Sequence, residues 1–199
     1  IHPQAVVQAG YKLVCSSGSL YSINRLTQHL KSFGFKVSKG FVSSCIEWFQ
    51  DAYFLFSVKL FTPSILKQNV NAKKIYCIDH ALIRSVSSGI LQNKGHFLEN
   101  LIFVHLRQRS EDVYYYRTKK GREIDFIWLN DQNKRNLVQV AFTLNEPRTR
   151  KREISSLLDA MDELDLHAAT VVTMREEEII EEQSKAIHII PAWKYLLEI

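Results

Sequence analysis

Apolar residues in the first part of the chain recur at helical spacing in three successive segments. The first segment runs from about residue 4 to residue 15 and ends at a cluster of small residues. Ser22 precedes the second segment and Ser38 precedes the third, and serine at such a position caps the N-terminus of a helix. Gly34 follows the second segment, as expected at a helix end. The pattern therefore predicts three consecutive helices.

Two short runs of aromatic and branched residues follow the predicted helices. Residues 53–60 and 74–78 have the composition of β-strands, and residues 62–73 between them form a polar loop. The pattern of residues 79–86 predicts a short connecting helix. Three helices followed by a strand, a loop and a returning strand are typical of a winged helix, in which the third helix enters a DNA groove and the loop contacts phosphate. The pattern therefore predicts a winged helix-turn-helix in this half.

The second half begins after the small residues 87–89 and mixes helices with strands. Spacing and composition predict these elements in chain order: helix 95–107, strands 113–117, 123–129 and 136–144, helix 148–164, strands 170–173 and 186–190, and a helical turn at 193–197. The glutamates within residues 176–182 are predicted to form a solvated face. This order indicates a mixed sheet. We therefore predict an α/β (α+β) protein with two domains, residues 1–88 and 89–199.

The composition is that of a globular protein in a reducing compartment. The chain has 199 residues, 46% apolar and 24% charged, without the roughly 18 uninterrupted apolar residues that a membrane helix needs. Cys15, Cys45 and Cys77 show neither disulfide nor zinc-ligand spacing, so we expect three buried thiols. Residues 1–4 include neither an initiating methionine nor a signal-peptide pattern. We therefore expect a cytoplasmic piece of a longer protein, with no membrane contact.

Positive charge is concentrated in the first half. Residues 1–98 contain 11 lysines and arginines and three acidic residues, whereas the remaining residues contain 15 and 18. This distribution favours an anionic partner, DNA above all, although a basic surface for another protein has the same composition. Glu47 and Asp51 would oppose phosphate, so protein docking stays an almost equal alternative. The candidate nucleic-acid contacts are Lys36, Lys39, Ser43, Lys67, Lys73 and Lys74.

Three side chains in the second half have the layout of a nuclease site. Glu99 lies on a predicted helix, Asp125 on a predicted strand, and Gln139 on the next strand, with Ala141 two residues later. This layout resembles that of PD-(D/E)xK nucleases, in which carboxylates bind Mg²⁺ and a lysine two residues beyond the strand acid orients the attacking water. Here a glutamine stands at the acid position and an alanine at the lysine position. We therefore predict a degenerate site, without a metal and without catalysis.

Two alternatives stay open for Glu99 and Asp125. In the first, a cation from a neighbouring segment replaces the missing lysine. In the second, which we favour, the carboxylates form a buried polar pair satisfied by hydrogen bonds or by Arg117 or Arg122. The candidate replacement cations are Arg117, Lys119 and Lys120.

Six short stretches occur in a characteristic order along the chain: residues 21–26, 73–79, 94–100, 122–126, 139–140 and 152–154. In this order they resemble the C-terminal region of an uncharacterised family of prokaryotic AAA-type ATPases. The resemblance implies an N-terminal ATPase domain, a winged helix and an endonuclease-like end domain. This chain has no G-x-x-x-x-G-K-[ST] phosphate-binding loop, so ATP and Mg²⁺ are expected only in the preceding ATPase domain.

The sequence thus predicts a non-catalytic nucleic-acid-binding or regulatory region of such an ATPase. The alternatives are a Mg²⁺-dependent DNA nuclease and an interaction scaffold for the ATPase. The expected partners are DNA and the ATPase domain in cis, with a second copy of the chain or a protein client as further possibilities.

Overall fold

The computed structural model describes residues 2–86, 94–182 and 184–198. The first half contains, in chain order, α1 (Pro3–Val14), β1 (Leu20–Tyr21), α2 (Ile23–Ser32), α3 (Lys39–Asp51), β2 (Leu55–Val58), α4 (Ile65–Val70), β3 (Lys73–Cys77) and α5 (His80–Val86). The three predicted helices are confirmed. Ser22 Oγ accepts a hydrogen bond from Arg25 N at 3.3 Å, and Ser38 Oγ accepts one from Phe41 N at 3.1 Å. These caps fix the start of α2 and of α3.

The strands of the first half form a three-stranded antiparallel sheet in the order β1-β3-β2. The helices α1, α2 and α3 pack against this sheet through a shared apolar core that includes Ala9, Leu30, Val42 and Ile75. Strand β3 is covered on both faces, because Ile75 packs in this core and Tyr76 packs in a second core. Residues Lys74 to Cys77 are accordingly all buried.

The segment between β2 and β3 differs from the predicted polar loop. Helix α4 occupies half of it and begins at Ser64, whose Oγ accepts a hydrogen bond from Lys67 N at 3.3 Å. Strand β3 already begins at Lys73, so Lys73 belongs to the strand and not to the predicted loop. Serine at residue 64 is the sequence signal for this helix, which the polar composition of the segment obscured.

The second half contains α6 (Lys94–Arg109), β4 (Val113–Arg117), β5 (Glu123–Leu129), β6 (Arg135–Val140), α7 (Pro147–Leu164), β7 (Ala168–Thr173), β8 (Glu178–Glu182), β9 (Lys185–Pro191) and α8 (Ala192–Glu198). Two departures from the predicted elements concern β6 and β8. Strand β6 ends at Val140, four residues earlier than predicted, and the predicted glutamate face contains the strand β8. Glu178, Ile179, Glu181 and Glu182 of β8 are exposed, so the glutamates of this strand are solvated as predicted.

The strands of the second half form one mixed sheet in the order β4-β5-β6-β7-β9-β8. The neighbours β6, β7 and β9 are parallel, and the outer pairs are antiparallel. Helices α6 and α8 cover one face through Phe103 and Tyr195, and α7 covers the other through Leu157 and Met161. The described residues therefore form a mixed α+β fold with helices on both faces of the larger sheet.

Strand β5 contains an irregularity at the position of the candidate site. Tyr114 pairs with Ile127 and Tyr116 pairs with Ile124, so β5 has one residue more than β4 between these pairs. As a result, Ile124 packs in the core under α7 while Phe126, two residues later, packs in the core under α6. Two residues apart on a regular strand would share a face. A bulge of this kind re-aims side chains, and here it lies at Asp125.

The two halves share a hydrophobic core. Tyr76 of β3 stacks on Phe103 of α6, with ring centroids 4.3 Å apart. Backbone hydrogen bonds also connect the halves, because Tyr115 N donates to Lys59 O at 3.0 Å and Phe61 N donates to Tyr115 O at 2.7 Å. The predicted domain boundary at residues 87–89 lies outside the described residues. In the structure, the N-terminal sheet and the C-terminal sheet are packed together.

Two of the three cysteines are buried. Cys45 and Cys77 are buried as predicted, but Cys15, the residue that follows α1, is exposed. Among the described residues, no helix combines the length and the apolar character needed to cross a membrane.

Candidate functional site

A buried lysine lies at the centre of three carboxylates at the junction of the two halves. Lys74 Nζ is 3.0 Å from Glu99 Oε1, 3.0 Å from Glu123 Oε1 and 2.8 Å from Asp125 Oδ1. Strand β3 supplies the lysine, α6 supplies Glu99, and β5 supplies the other two carboxylates. We call these four residues the Lys74 cluster. The predicted pair Glu99 and Asp125 is thus brought together, and a single ammonium group joins them.

The prediction that Lys74 contacts nucleic acid is wrong for this structure. Its side chain is only 3% exposed, and its ammonium group is directed at the cluster carboxylates. A lysine buried in an apolar strand needs such partners, because an unpaired buried ammonium is too costly. The sequence did contain a signal, since Lys74 is followed by the strand-forming residues 75–78. A lysine at the start of a buried strand predicts an ion pair.

Glu99 has polar contacts with three side chains. Besides Lys74, Tyr76 OH donates a hydrogen bond to Glu99 Oε1 at 2.7 Å, and His96 Nδ1 lies 3.6 Å from Glu99 Oε2. Burial acts to raise the pKa of Glu99, but the Lys74 ammonium and the contacts from His96 and Tyr76 outweigh burial and leave the pKa below its ordinary value. The attraction of Asp125 and the other carboxylates likewise holds the pKa of Lys74 well above its ordinary value, against the effect of burial. Glu99 is therefore the ionised partner of the lysine.

Asp125 is in a less favourable environment for its charge. Burial, with a further contribution from the Glu99 charge, raises the pKa of Asp125 to about 7. The Lys74 ammonium and the Val140 N–H, which donates to Asp125 Oδ2 at 3.0 Å, act in the opposite direction. Near neutral pH, Asp125 therefore changes its protonation state within the cluster.

Gln139 does not act as a free ligand. Its Oε1 accepts a hydrogen bond from Asp125 N at 3.1 Å, and its Nε2 donates one to Glu153 Oε2 at 2.8 Å. Glu153, on α7, is itself buried and accepts from Arg152 Nε at 3.0 Å. The amide thus joins β5 to α7, and both of its polar atoms are occupied. Ala141 lies just beyond β6 and packs in the core under α7.

The geometry of the Lys74 cluster does not fit a magnesium site. Mg²⁺ requires oxygen ligands at about 2.0–2.1 Å in octahedral geometry. The carboxylate oxygens that face one another here already surround Lys74 Nζ, and the Gln139 carbonyl oxygen is hydrogen-bonded to the backbone. Within the described ranges, no group of three or more His, Cys, Asp and Glu side chains is arranged to hold a metal ion. In this geometry the protein's own cation occupies the position between the carboxylates.

Two of the cations proposed from the neighbouring hairpin, Lys120 and Arg122, are paired outside the cluster. Lys120 Nζ is 2.8 Å from Asp159 Oδ1, and Arg122 NH1 is 3.2 Å from Asp159 Oδ2. Arg117 NH2 is 3.5 Å from Glu123 Oε2, at the edge of the cluster. The favoured interpretation of a buried, satisfied pair agrees with the geometry, but the satisfying cation comes from β3, about 50 positions earlier in the chain. Sequence proximity could not reveal it.

Asn100 connects α6 to β3 next to the Lys74 cluster. Its Oδ1 accepts hydrogen bonds from Ser17 Oγ at 2.7 Å and from Cys77 N at 2.8 Å, and its Nδ2 donates to Cys77 O at 2.9 Å. Asn100 follows Glu99 on α6, and Cys77 is three residues beyond Lys74 on β3. This fully buried amide therefore fixes the separation of α6 and β3, and with it the distance between Glu99 and Lys74.

Gly18 approaches the cluster from the turn between α1 and β1. It has a φ of +79°, and its N–H donates to Ile75 O at 2.8 Å. A Cβ atom at this position would lie 2.5 Å from His96 Nδ1 and 3.2 Å from Glu99 Oε2. Glycine is therefore needed both for the backbone conformation and for the space beside the cluster.

We expect Gly18→Ala to lower the free energy of unfolding by about 1–2 kcal/mol more than Gly34→Ala does. Gly34 is the matched control, because its φ is +85° and no atom lies within 4 Å of a Cβ added there. Both variants bear the backbone strain, and Gly18→Ala additionally displaces His96. Urea denaturation of the two variants measures the difference. Equal losses would show that the turn does not press on the cluster.

The protonation of Asp125 predicts a pH dependence of stability. A carboxyl group whose folded pKa of about 7 exceeds its ordinary 3.8 contributes stability that is complete below the lower value and is lost as pH rises through the higher one. From about pH 5 to about pH 8, the wild type should therefore lose about 1 kcal/mol or more relative to Asp125→Asn. Glu99, whose pKa is lowered, has the opposite dependence but is present in both proteins. Parallel stability curves for the two proteins in denaturation experiments would contradict this assignment.

The remaining predicted nucleic-acid contacts lie at or near the surface of the first half. Lys36, Lys39 and Lys67 are exposed, Lys73 is half-buried, and Ser43 Oγ donates to Glu47 at 3.4 Å. None of the eight lysines and arginines from Lys12 to Lys73 forms an ion pair with a carboxylate of the described residues. In the second half, several such cations are paired with carboxylates, among them Lys120, Arg150 and Lys185. These eight cations of the first half can therefore attract an anionic partner.

These observations define an α+β protein with a six-stranded mixed sheet and a buried ion-pair cluster whose residues lie on β3, α6 and β5. Residues 94–195 match the family described as "Domain of unknown function (DUF4143)", and the chain belongs to this family. The chain is also similar to the uncharacterized protein MJ1544 of Methanocaldococcus jannaschii, with 31% identity over 186 residues. The match covers 88% of this chain and 40% of that protein, so the chain spans about two fifths of its relative's length. No solved structure matches the chain.

Proposed function

We propose that this chain is a non-catalytic, nucleic-acid-binding or regulatory region of a larger prokaryotic AAA-type ATPase. The order of α1–α3, β2, α4 and β3 supports a winged helix, and the order of the six-stranded sheet supports a degenerate endonuclease-like domain. The longer relative leaves room for an ATPase domain in cis, which would bind ATP and Mg²⁺.

One observation carries the non-catalytic part of the proposal. Lys74 Nζ lies within 3.0 Å of an oxygen from Glu99 and from Asp125, the two acids that the nuclease layout retains, and is also 3.0 Å from Glu123. A nuclease lysine must face the attacking water, whereas this one is enclosed by acids and is nearly inaccessible. The arrangement stabilises the contact between the two halves of the fold.

A cleavage assay separates this proposal from the nuclease alternative. Incubated with Mg²⁺ or Mn²⁺, the wild-type chain should leave single-stranded and duplex DNA intact. Cleavage that disappears in Asp125→Ala would establish a nuclease and overturn the proposal. Cleavage that persists in Asp125→Ala would come from a contaminant or another site and would leave the cluster non-catalytic.

The unpaired cations of the first half support nucleic acid as the partner. Binding of duplex and single-stranded DNA should weaken steeply with salt, because each phosphate contact releases counterions. Lys36→Glu combined with Lys39→Glu should reduce the slope of log affinity against log salt by about two. Lys119→Glu, an exposed lysine of the second half, is the matched control. No binding even at about 50 mM salt would exclude nucleic acid as the partner.

A second candidate function rests on α4. Ile65, Leu66 and Val70 are 73%, 78% and 81% exposed, and α4 has no buried residue. Three aliphatic side chains on one short helix are poor partners for phosphate and suit an apolar protein surface. This observation favours an interaction scaffold for the ATPase.

Light scattering tests the scaffold. If α4 mediates association, the chain should form a defined oligomer that Leu66→Glu dissociates. Leu197→Glu is a matched control, since Leu197 on α8 is also 78% exposed. A monomer at all concentrations, together with salt-dependent DNA binding, would favour the nucleic-acid function instead.

A further inference from the structure

A second concave site lies away from the Lys74 cluster, at the carboxyl ends of two parallel strands. The hollow has a volume of about 390 Å³ and lies among α5, α6 and the segments that follow β6 and β7. Phe142 comes two residues after the end of β6, and Met174 directly follows β7. Crevices outside the carboxyl ends of parallel strands are the usual ligand sites of open α/β sheets. The volume is within the range of small-molecule sites.

The hollow combines an apolar floor with a cationic rim. Phe97 and Leu101 of α6 form the floor together with Phe142 and Met174. The rim contains two cations, Lys94 at the start of α6 and Arg84 of α5, and the side chain of His80. Lys94 Nζ lies 5.4 Å from the centroid of the Phe142 ring, so the ammonium is held over the apolar floor.

Two acidic residues lie near the hollow in sequence, and each has a polar contact with a neighbouring residue. Asp79 Oδ1 is 3.9 Å from His80 Nδ1. Glu176 Oε1 accepts hydrogen bonds from Thr143 Oγ1 at 2.5 Å and from Leu144 N at 2.9 Å. None of the described residues that line the hollow is acidic. The charge at the rim is therefore positive.

The segments that form the floor are held by the backbone. Met174 N donates a hydrogen bond to Phe142 O at 3.2 Å. The Glu176 contacts with Thr143 and Leu144 attach the two segments to each other a second time. The positions of Phe142 and Met174 are thus fixed before a ligand arrives, which reduces the entropy lost on binding.

From these observations we infer that the hollow binds a small amphipathic anion, in which an apolar chain or ring contacts the floor and one carboxylate contacts Lys94. A polynucleotide does not fit this chemistry, because its outer surface offers phosphates without an apolar body. The ligand class is that of medium-chain or aromatic carboxylates. The inference does not depend on the function proposed for the Lys74 cluster.

Calorimetric titration of the intact chain with decanoate, below its micelle concentration, tests the inference. Decanoate should bind saturably, and decanol, which has the same chain without the charge, should bind more weakly. Lys94→Gln should weaken decanoate binding about two- to fivefold, the effect of one partly exposed ion pair, and should leave decanol binding unchanged.

A second variant keeps the test decisive if Lys94→Gln has a small effect. Met174→Glu places a carboxylate at the floor, at a residue that is 45% exposed, so the fold should tolerate it. It should weaken decanoate binding at least about tenfold, whereas Leu66→Glu on α4 should leave it unchanged. No saturable decanoate binding, equal affinity for decanol, or affinity unchanged in both pocket variants would overturn the inference.

Discussion

Replacing Lys74 with methionine should lower the free energy of unfolding by about 3–5 kcal/mol, the usual loss when one partner of a buried ion pair is removed. Methionine keeps most of the aliphatic length of the lysine but leaves Glu99, Glu123 and Asp125 without their shared cation. The loss should be smaller at about pH 5 than at about pH 8, because protonation relieves the repulsion among the remaining carboxylates. Urea denaturation at both pH values measures the effect.

Lys120→Met is the matched control for this prediction. Lys120 also forms an ion pair at 2.8 Å, with Asp159, but its side chain is 68% exposed. Exposed pairs contribute at most about 1 kcal/mol. A Lys74→Met loss no larger than that of Lys120→Met would mean that the cluster does not hold the two halves together.

The second large effect is expected for Asn100→Leu, which should lower the free energy of unfolding by about 3–5 kcal/mol. Leucine has a similar volume, but it leaves Cys77 N–H, Cys77 C=O and Ser17 Oγ without their buried partner. Each buried polar group left unsatisfied costs about 1–3 kcal/mol. Thermal and urea denaturation, followed by circular dichroism, give the measurement.

Asn136→Leu provides the comparison on β6. Asn136 is half-buried, and its Nδ2 donates to Lys134 O at 3.0 Å in a solvent-exposed hydrogen bond, so the substitution should change stability by less than about 0.5 kcal/mol. Asn100→Asp adds a further check, because aspartate accepts the same two hydrogen bonds but cannot donate to Cys77 O. Full stability of Asn100→Asp would show that the donated bond is unimportant.

The sequence was most informative where periodicity is local. The spacing of apolar residues and the serines at positions 22 and 38 located α2 and α3, and the runs of aromatic and branched residues located β4 and β5 with their bounds. It failed where composition concealed a short element. Helix α4 lies in a polar segment, and β8 lies in a run of glutamates at the edge of the sheet.

The candidate site was predictable only in part. Glu99, Asp125 and Gln139 were found from their order along the chain, and the structure brings the first two to the same lysine. Lys74 was assigned to a nucleic-acid contact, because no local pattern shows that β3 packs beside α6. The contribution of Glu123 and the contact of Gln139 with Glu153 likewise depend on tertiary packing and on the bulge in β5.

The central claim is that the ammonium group of Lys74 takes the position that a metal ion occupies in a working nuclease. Titration with Mn²⁺, monitored by calorimetry and by thermal denaturation, tests it most directly. The wild type should show no saturable binding at the cluster, whereas Lys74→Ala should bind Mn²⁺, gain thermal stability from it, and lose both effects when Asp125→Asn is added. Saturable Mn²⁺ binding by the wild type that Asp125→Asn abolishes would contradict the account.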